Sequence, residues 1–213
     1  MTQITHIRNE IETSRVIAIV RSPHGKHITE AVDVIAGEGI RIVEISLNTP
    51  SPFAVIESVA AKFAGALAVG AGTVLDEVSA RLAIDAGAQF LVTPNFDESA
   101  IRCGSRYGVP VIAGALTSTE AVRAVCAGAA YVKVFPASLG GPSYVKELMG
   151  PLPQLGAIPT GGIQLENAQS FLDAGAVAIA VGSGLMHRKI LDEKDWDTLR
   201  ARAAQFSRLC IRR

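Results

Sequence analysis

The sequence predicts an α/β protein in which eight parallel strands alternate with helices, and three observations support this fold class. Short runs rich in Val and Ile recur along the 213-residue chain, each bounded by Gly or Pro, as is typical of strands buried on both faces. Segments with the apolar spacing of helices lie between these runs. Eight such units average roughly 27 residues each, which favours a single (β/α)8 TIM barrel over a doubly wound open sheet with fewer strands.

The predicted strands follow one another at regular intervals. They are VIAIVR (16–21), RIVEISL (41–47), ALAVGAG (66–72), QFLVTP (89–94), VPVIAG (109–114), YVKVFPA (131–137), GAIPTG (156–161) and AVAIAVG (176–182). Three of them come shortly after Gly87, Gly128 and Gly175, where we expect helices to end, because glycine readily adopts the positive φ of the C′ position.

Helices are predicted where apolar residues recur three and four positions apart. Such segments, with their apolar stripes, are 27–38 (Ile28, Ala31, Val32, Ile35), 76–86 (Val78, Leu82, Ala83) and 97–107 (Ala100, Ile101, Tyr107). We expect one domain over residues 1–213, with an N-terminal helix at about 3–14 and a C-terminal helix at about 194–209. No linker, low-complexity tract or charge block divides the chain.

The composition is that of a globular protein without a strong electric field. Hydrophobic residues make up 49% and charged residues 19%, and 20 basic side chains balance 20 acidic ones. No net charge would attract nucleic acid. The N-terminal segment lacks the pattern of a signal peptide, and the most apolar stretches are too short to span a bilayer. We therefore expect a cytoplasmic protein with neither a nucleic-acid nor a membrane partner.

The cysteines and histidines do not predict a metal site. Cys103, Cys126 and Cys210 show no zinc-ligand spacing, and we expect the first two to pack within helices. His24 and His27 lie in the turn SPHGKH, where we expect no carboxylate close enough to complete a ligand set.

Two ionisable residues fall inside apolar runs that we expect to be strands. Barrel enzymes carry their active sites at the carboxyl ends of the strands, so polar residues late in each run are candidates for chemistry. Because side chains alternate along a strand, Glu44 shares a face with Ile42, and Lys133 shares one with Tyr131. If both faces point into the barrel, a carboxylate and an amine meet in a closed interior.

This predicted pair has two interpretations. The pair could be a buried salt bridge that only fixes register, since a buried charge left unpaired costs several kcal/mol. Alternatively, desolvation favours a neutral Lys133 amine that attacks a carbonyl, while Glu44 moves protons.

Glycine-rich turns after strands seven and eight predict an anion site. TIM barrels often bind phosphate with the loops that follow these two strands. Here the turns are PTGGI and VGSGL, which offer exposed backbone N–H groups and two hydroxyls. The candidate residues are Thr160, Gly161, Gly162, Gly182 and Ser183.

Seven motifs together resemble those of the class I 2-dehydro-3-deoxy-phosphogluconate (KDPG/KHG) aldolase family. In chain order they are VEISLNTP, GAGTVL, FLVTPN, VKVFPA, GGPSYVKEL, PTGG and VGSGL. The family includes 2-dehydro-3-deoxy-6-phosphogalactonate aldolases and bifunctional 4-hydroxy-2-oxoglutarate aldolases. The resemblance extends from Val16 to about Leu185, and the combination of motifs is more specific than any one of them.

The resemblance implies a metal-independent trimer of (β/α)8 subunits that needs no cofactor, because the substrate is held covalently by a lysine. Lys133 matches the family's Schiff-base lysine, and Glu44 matches its proton-transferring glutamate. The other matched positions are Thr73 and Pro94 for the pyruvate end, Phe135 beside the lysine, and Gly161, Gly162 and Ser183 for the phosphate.

One position departs from the pattern of many phosphogluconate-type members. They carry Arg four residues after the glutamate, where it contacts the substrate carboxylate, and this chain has Asn48 there. Phosphogalactonate-type members resemble the chain at this point and supply an Arg from the end of strand one, which Arg21 matches. VTPN is also galactonate-like, whereas PTGG is closer to the gluconate type.

The resemblance therefore implies cleavage of a 2-dehydro-3-deoxy-6-phosphoaldonate, of gluconate or galactonate type, to pyruvate and D-glyceraldehyde 3-phosphate. A 4-hydroxy-2-oxoglutarate aldolase, a sugar-phosphate epimerase on the same fold and a non-catalytic sugar-phosphate-binding protein are the alternatives.

Overall fold

The computed structural model describes residues 3–210, which form one sheet of eight parallel strands surrounded by helices. The strands are β1 (Val16–Val20), β2 (Ile42–Ser46), β3 (Ala68–Gly72), β4 (Leu91–Val92), β5 (Val111–Ala115), β6 (Tyr131–Val134), β7 (Ala157–Pro159) and β8 (Ile179–Val181). From β1 to β7 each strand pairs with the next one in sequence, and β1 also pairs with β8. The predicted (β/α)8 TIM barrel is confirmed.

The barrel closes between β7 and β8. The Val177 N–H donates to the Ala157 carbonyl at 3.0 Å, and Thr160 forms a parallel bridge with Ala180. The ends of the sheet order are therefore joined, as a closed barrel requires.

Ten helices accompany the strands within the described residues. They are α1 (Gln3–Ser14), α2 (Ile28–Gly37), α3 (Pro52–Lys62), α4 (Glu77–Asp85), α5 (Glu98–Tyr107), α6 (Ser118–Cys126), α7 (Gly141–Met149), α8 (Leu165–Asp173), α9 (Arg188–Asp192) and α10 (Trp196–Cys210), with a 3-10 turn at Ala137–Leu139. The helices predicted at both ends of the chain correspond to α1 and α10.

The core has two layers. One fills the space between the strands and the outer helices, and the other fills the barrel itself. Ile7 and Ile11 of α1 are fully buried in the barrel layer, together with residues that begin strands, such as Ile42 and Tyr131. Helix α1 therefore covers the amino end of the barrel, and the carboxyl end is left for the site.

Glycines end three helices as the sequence predicts. Gly87, Gly128 and Gly175 have φ of 97°, 103° and 101°, a region that favours glycine. Among residues 3–210, no helix combines the length and the apolar character needed to cross a membrane.

Three residues of the predicted apolar helix stripes, Val78, Leu82 and Tyr107, are exposed rather than buried. In α4 the structure buries Ala80 and Ala83 but leaves Val78 69% and Leu82 46% exposed, because the helix packs through its small side chains. Tyr107, at the end of α5, is also exposed, with Arg81 stacked on its ring.

The expectations for Cys126 and His27 also need correction. Cys126 is exposed at the end of α6 rather than packed. The expectation that no carboxylate lies near the histidines of the first loop is wrong, because Glu30 Oε1 lies 3.3 Å from His27 Nδ1, one helical turn further on.

Candidate active site

A cavity of about 310 Å³ opens at the carboxyl end of the barrel. All the residues predicted for catalysis and substrate binding line it, together with two residues that were not predicted, Ile19 and Ile163. The predicted lining residues are Arg21, Glu44, Asn48, Thr73, Pro94, Lys133, Phe135, Thr160, Gly161, Gly162, Gly182 and Ser183. The structure thus brings together residues from seven separate strand ends.

A larger groove lies elsewhere on the surface. It measures about 550 Å³ and is lined by residues that include Phe96, Arg102 and Cys126. Its ionisable residues are exposed, whereas the smaller cavity contains a buried carboxyl and a buried amine. Buried ionisable groups are expensive and are concentrated at functional sites, so we assign the site to the smaller cavity.

Glu44 and Lys133 both point into the barrel, as strand alternation predicts. Ile42 and Tyr131, two residues earlier on the same faces, belong to the layer inside the barrel. Glu44 is 2% exposed and Lys133 is 6% exposed. Both side chains reach the cavity from the interior of the barrel rather than from its rim.

A glycine lies beside each of the two buried ionisable residues. Gly72 of β3 is adjacent to Glu44, and a Cβ atom at this position would lie 2.1 Å from Glu44 Oε1. Gly114 of β5 pairs in register with Lys133, and its missing Cβ leaves room for the backbone of Pro94, whose carbonyl carbon would be 2.2 Å away. The two glycines create the space that the carboxylate and the cavity wall occupy.

The Glu44 carboxyl has an unsatisfied oxygen. Oε2 is buried and has no hydrogen-bond partner among the described residues. Burial raises the pKa of this carboxyl above its ordinary value, an effect that the positive charges of Lys133 and Arg21 oppose. A carboxyl with a raised pKa and a free oxygen beside a cavity is suited to exchange protons with a bound molecule.

Lys133 has no carboxylate in contact. Within residues 3–210, no Asp or Glu oxygen lies within 4.0 Å of its Nζ. The Nζ atom instead lies over the Phe135 ring, 5.0 Å from the ring centroid. The interpretation as a salt bridge that only fixes register is therefore not supported. The amine is held in an apolar strand, and the cavity lies before it.

The turn after β7 and the end of β8 present unpaired backbone donors. The N–H groups of Gly161, Gly162 and Ser183 donate to no acceptor among the described residues. Gly161 and Gly162 have φ of 91° and 76°, and the side-chain amide of Asn167 donates to the Gly162 carbonyl at 2.9 Å, which holds the turn. The Thr160 hydroxyl donates to the Ile158 carbonyl at 3.3 Å. Clustered free N–H groups bind anions.

The rim of the cavity carries Arg21 after β1 and Asn48 after β2. Both residues are exposed, and both contact the buried hydroxyl of Ser46, which is not among the predicted site residues. Strand alternation could have identified Ile19 and Ser46, since they share faces with Arg21 and Glu44, respectively. Ile163 lies in a loop, where alternation gives no signal.

Groups of three or more His, Cys, Asp or Glu side chains that could hold a metal ion are absent from the described part of the chain. His24 instead contacts Arg188, and His27 contacts Glu30.

The fold and the site together define a barrel with a buried lysine and a buried glutamate at its carboxyl end. The family described as "KDPG and KHG aldolase" matches residues 7–202, so the chain belongs to this aldolase family. The resemblance noted from the motifs is confirmed.

Relatives of both substrate types are similar to the chain. The 2-dehydro-3-deoxy-6-phosphogalactonate aldolase of Escherichia coli (strain K12) is 35% identical over 79% of this chain and 83% of its own. The 2-dehydro-3-deoxy-phosphogluconate aldolase of Pseudomonas aeruginosa is 30% identical over 94% of this chain and 89% of its own. A solved structure described as native KDPGal superposes with a TM-score of 0.85 at 32% identity, covering 91% of this chain and 93% of that one.

Proposed function

We propose that this protein is a class I aldolase that cleaves a 2-dehydro-3-deoxy-6-phosphoaldonate to pyruvate and D-glyceraldehyde 3-phosphate. The observation that carries the proposal is a cavity lined by the buried Lys133 amine and the buried Glu44 carboxyl. Among residues 3–210, the amine has no carboxylate partner and one Glu44 oxygen has no hydrogen-bond partner. Membership of the aldolase family supports the reaction class.

The first half of the reaction attaches the substrate. The neutral Lys133 amine adds to the C2 ketone and forms a carbinolamine. Glu44 delivers a proton to the leaving hydroxyl, water departs, and a positively charged iminium remains between Lys133 and C2. The raised pKa of Glu44 suits this step, because it favours the protonated form that donates the proton.

The second half breaks the carbon–carbon bond. The Glu44 carboxylate takes the proton of the C4 hydroxyl, C4 becomes the carbonyl carbon of the departing aldehyde, and the C3–C4 electron pair moves toward the iminium nitrogen. The resulting enamine takes this proton from Glu44 at C3, and water then hydrolyses the iminium to pyruvate and free Lys133. The water released earlier is used again, and the iminium serves as the electron sink that a metal would otherwise supply.

The two ends of the substrate would be held by different kinds of donor. Arg21 and Thr73 would bind the carboxylate, with Asn48 beside them on the rim, and a guanidinium suits this task because it binds carboxylates in a bidentate way. Pro94 and Phe135 would flank the pyruvate portion.

The phosphate would lie at the free N–H groups of Gly161, Gly162 and Ser183, near Thr160 and Gly182. This division assigns every predicted lining residue to one end of the substrate or to the reacting centre. The free N–H groups of Gly161, Gly162 and Ser183 lie after β7 and β8, where TIM barrels often bind phosphate.

A coupled assay tests the function directly. The purified protein is incubated with the gluconate epimer, the galactonate epimer or 4-hydroxy-2-oxoglutarate, and pyruvate release is followed through NADH oxidation by lactate dehydrogenase. We expect pyruvate from at least one of the two phosphorylated epimers. If only 4-hydroxy-2-oxoglutarate gives pyruvate, the proposed substrate is wrong. If a substrate is epimerised and no pyruvate forms, the proposed reaction is wrong.

We also propose that the protein is a homotrimer. The family resemblance supports this, and a similar chain, at 32% identity, is part of a cage designed by fusing symmetric oligomeric domains. Apolar side chains that the isolated subunit leaves exposed on α4 and α6, among them Val78 and Val122, offer surface for such contacts. Light scattering coupled to gel filtration should give three times the 22.3 kDa chain mass.

A further inference from the structure

Ser46 is a buried serine at the end of β2. Its side chain is on the same face as Glu44, and the residue is 0% exposed. A buried hydroxyl is expected to be hydrogen-bonded, because leaving it unsatisfied costs about 1–3 kcal/mol. The partners of this hydroxyl therefore indicate what the serine holds in place.

The hydroxyl joins the two rim residues. Ser46 Oγ accepts a hydrogen bond from Arg21 Nε at 3.3 Å and another from the Asn48 backbone N–H at 3.4 Å. Arg21 follows β1 and Asn48 follows β2, and both line the cavity. A single atom thus connects the ends of two neighbouring strands at the mouth of the site.

The contact leaves the Nη1–Nη2 edge of the Arg21 guanidinium available to a ligand. Its Nε is committed to Ser46, whereas the Nη1 and Nη2 groups have no acceptor among the described residues. A guanidinium binds a carboxylate either through Nε and one Nη or through both Nη groups. With Nε held by Ser46, the pair of Nη groups is left, and the guanidinium plane is fixed because rotation about the side chain would break the Nε contact.

We propose that Ser46 is a positioning residue that orients Arg21 for end-on binding of the carboxylate of the keto-acid substrate. This inference rests on the proposed function, since it takes pyruvate and its parent keto acids as the ligands. Ser46 does not itself contact the substrate. It acts on affinity through Arg21, and it leaves Lys133 and Glu44 unchanged.

The test uses pyruvate as the probe. The protein is inactivated with sodium borohydride at a series of pyruvate concentrations, which gives the concentration for half-maximal trapping, and kcat and KM are measured in the coupled assay. For Ser46→Ala we expect the half-saturating pyruvate concentration and KM to rise about tenfold, as for loss of a hydrogen bond to a charged group. We expect kcat to stay within about threefold and Ser46→Thr, which keeps the hydroxyl, to restore the affinity.

Measuring Ser46→Ala in a protein that already carries Arg21→Met distinguishes a role in orienting Arg21 from a role in packing. With Arg21→Met, which keeps the apolar stem, pyruvate binds more weakly and Ser46→Ala should add no further loss. Ser22→Ala is the matched control, because Ser22 is also a buried serine, next to Arg21, but its hydroxyl donates to the Lys26 carbonyl. We expect its half-saturating pyruvate concentration to equal that of the wild type.

Arg21→Lys tests the same contact with a variant that does not require Ser46→Ala to fold. Lysine keeps the charge but lacks Nε and the planar fork, so we expect it to be at least as impaired as Ser46→Ala. Wild-type affinity in either Arg21→Lys or Ser46→Ala, with trapping on Lys133 intact, overturns the role of Ser46 and leaves the proposed function standing. No trapping in the wild-type protein overturns both.

Discussion

The two ends of the barrel differ in whether their buried polar groups are hydrogen-bonded among residues 3–210. At the amino end, the Tyr131 hydroxyl donates to Glu12 Oε1 at 2.7 Å, with Arg8 stacked on its ring, and Ile7 and Ile11 of α1 close the interior. At the carboxyl end, Glu44 Oε2 is buried and has no hydrogen-bond partner within residues 3–210. The described residues pair the buried hydroxyl at one end and leave a buried carboxylate oxygen unpaired at the other.

Strand β3 shows both ends of the comparison within a single strand. A Cβ on Gly70 would lie 2.4 Å from the Phe90 ring, which fills the lower interior, whereas a Cβ on Gly72 would lie 2.1 Å from the Glu44 carboxylate. The same residue type therefore makes space for packing at one level and, two residues later, for the carboxylate that we propose as the acid–base group. Burial alone does not distinguish a structural position from a functional one; the neighbour does.

The largest expected effect comes from removing the amine. Lys133→Met keeps a long apolar side chain in β6 but has no nucleophile, so we expect cleavage in the coupled assay to be abolished. The thermal midpoint should be retained or raised, because a buried amine without a carboxylate partner does not stabilise the fold. Measurable pyruvate release by this variant would assign the covalent step to another residue.

Glu44→Gln tests the free carboxylate at the same end of the barrel. The amide keeps the shape but cannot take up or deliver a proton, so we expect kcat to fall by about 10²–10⁴-fold. Trapping of pyruvate on Lys133 should persist at a lower rate. Full activity in Glu44→Gln would remove this residue from the mechanism.

A pair of glycine substitutions sharpens the contrast within β3. Gly72→Ala should push the Glu44 carboxylate aside, and displacing a reacting group by about 1 Å can cost about 10²-fold in rate. Gly70→Ala should crowd Phe90 instead and lower the free energy of unfolding by about 1–3 kcal/mol. Activity assays and urea unfolding of both variants test this, and equal losses of kcat in the two would erase the distinction between packing and functional glycines.

The smallest expected effect is a pH dependence of stability. Because burial raises the pKa of Glu44 in the folded protein, the folded state holds this proton more tightly than the unfolded chain. The resulting stabilisation is complete below the unfolded pKa and is lost as pH rises through the folded value. Glu44→Gln cannot ionise, so its stability relative to the wild type should grow from pH 4 to pH 8.

An exposed glutamate provides the control for this pH series. Glu57 on α3 is exposed, so the stability difference between Glu57→Gln and the wild type should change little over the same range. A flat difference for Glu44→Gln would mean that its burial does not carry the free-energy cost that we assign to it.

Much of the fold follows from local patterns. The eight apolar runs, the helix-ending glycines and the parity of Glu44 and Lys133 depend only on nearby residues, and these predictions agree with the structure. Helix α4 does not follow its pattern, because apolar residues lie on two of its sides and the one with small residues, Ala80 and Ala83, is buried. The sequence contains no signal for which of these two sides packs inward.

Residues of the candidate site could be predicted where strand alternation or a sequence motif identifies them. They could not be predicted where their role depends on how neighbouring strands pair. Lys133, Glu44 and the glycine turns stand out from their own sequence context. The role of Gly72 depends on its place beside Glu44, and Ser46 on its contact with a residue 25 positions earlier in the chain. These relations arise only when the strands are paired.

The central claim is that Lys133 forms a Schiff base, and one measurement tests it most directly. The protein is treated with sodium borohydride in the presence of pyruvate, digested and analysed by peptide mass mapping. The account predicts a reduced pyruvate adduct on the peptide that contains Lys133 and on no other, together with irreversible loss of activity. An unmodified Lys133 peptide in a protein that still releases pyruvate would contradict it.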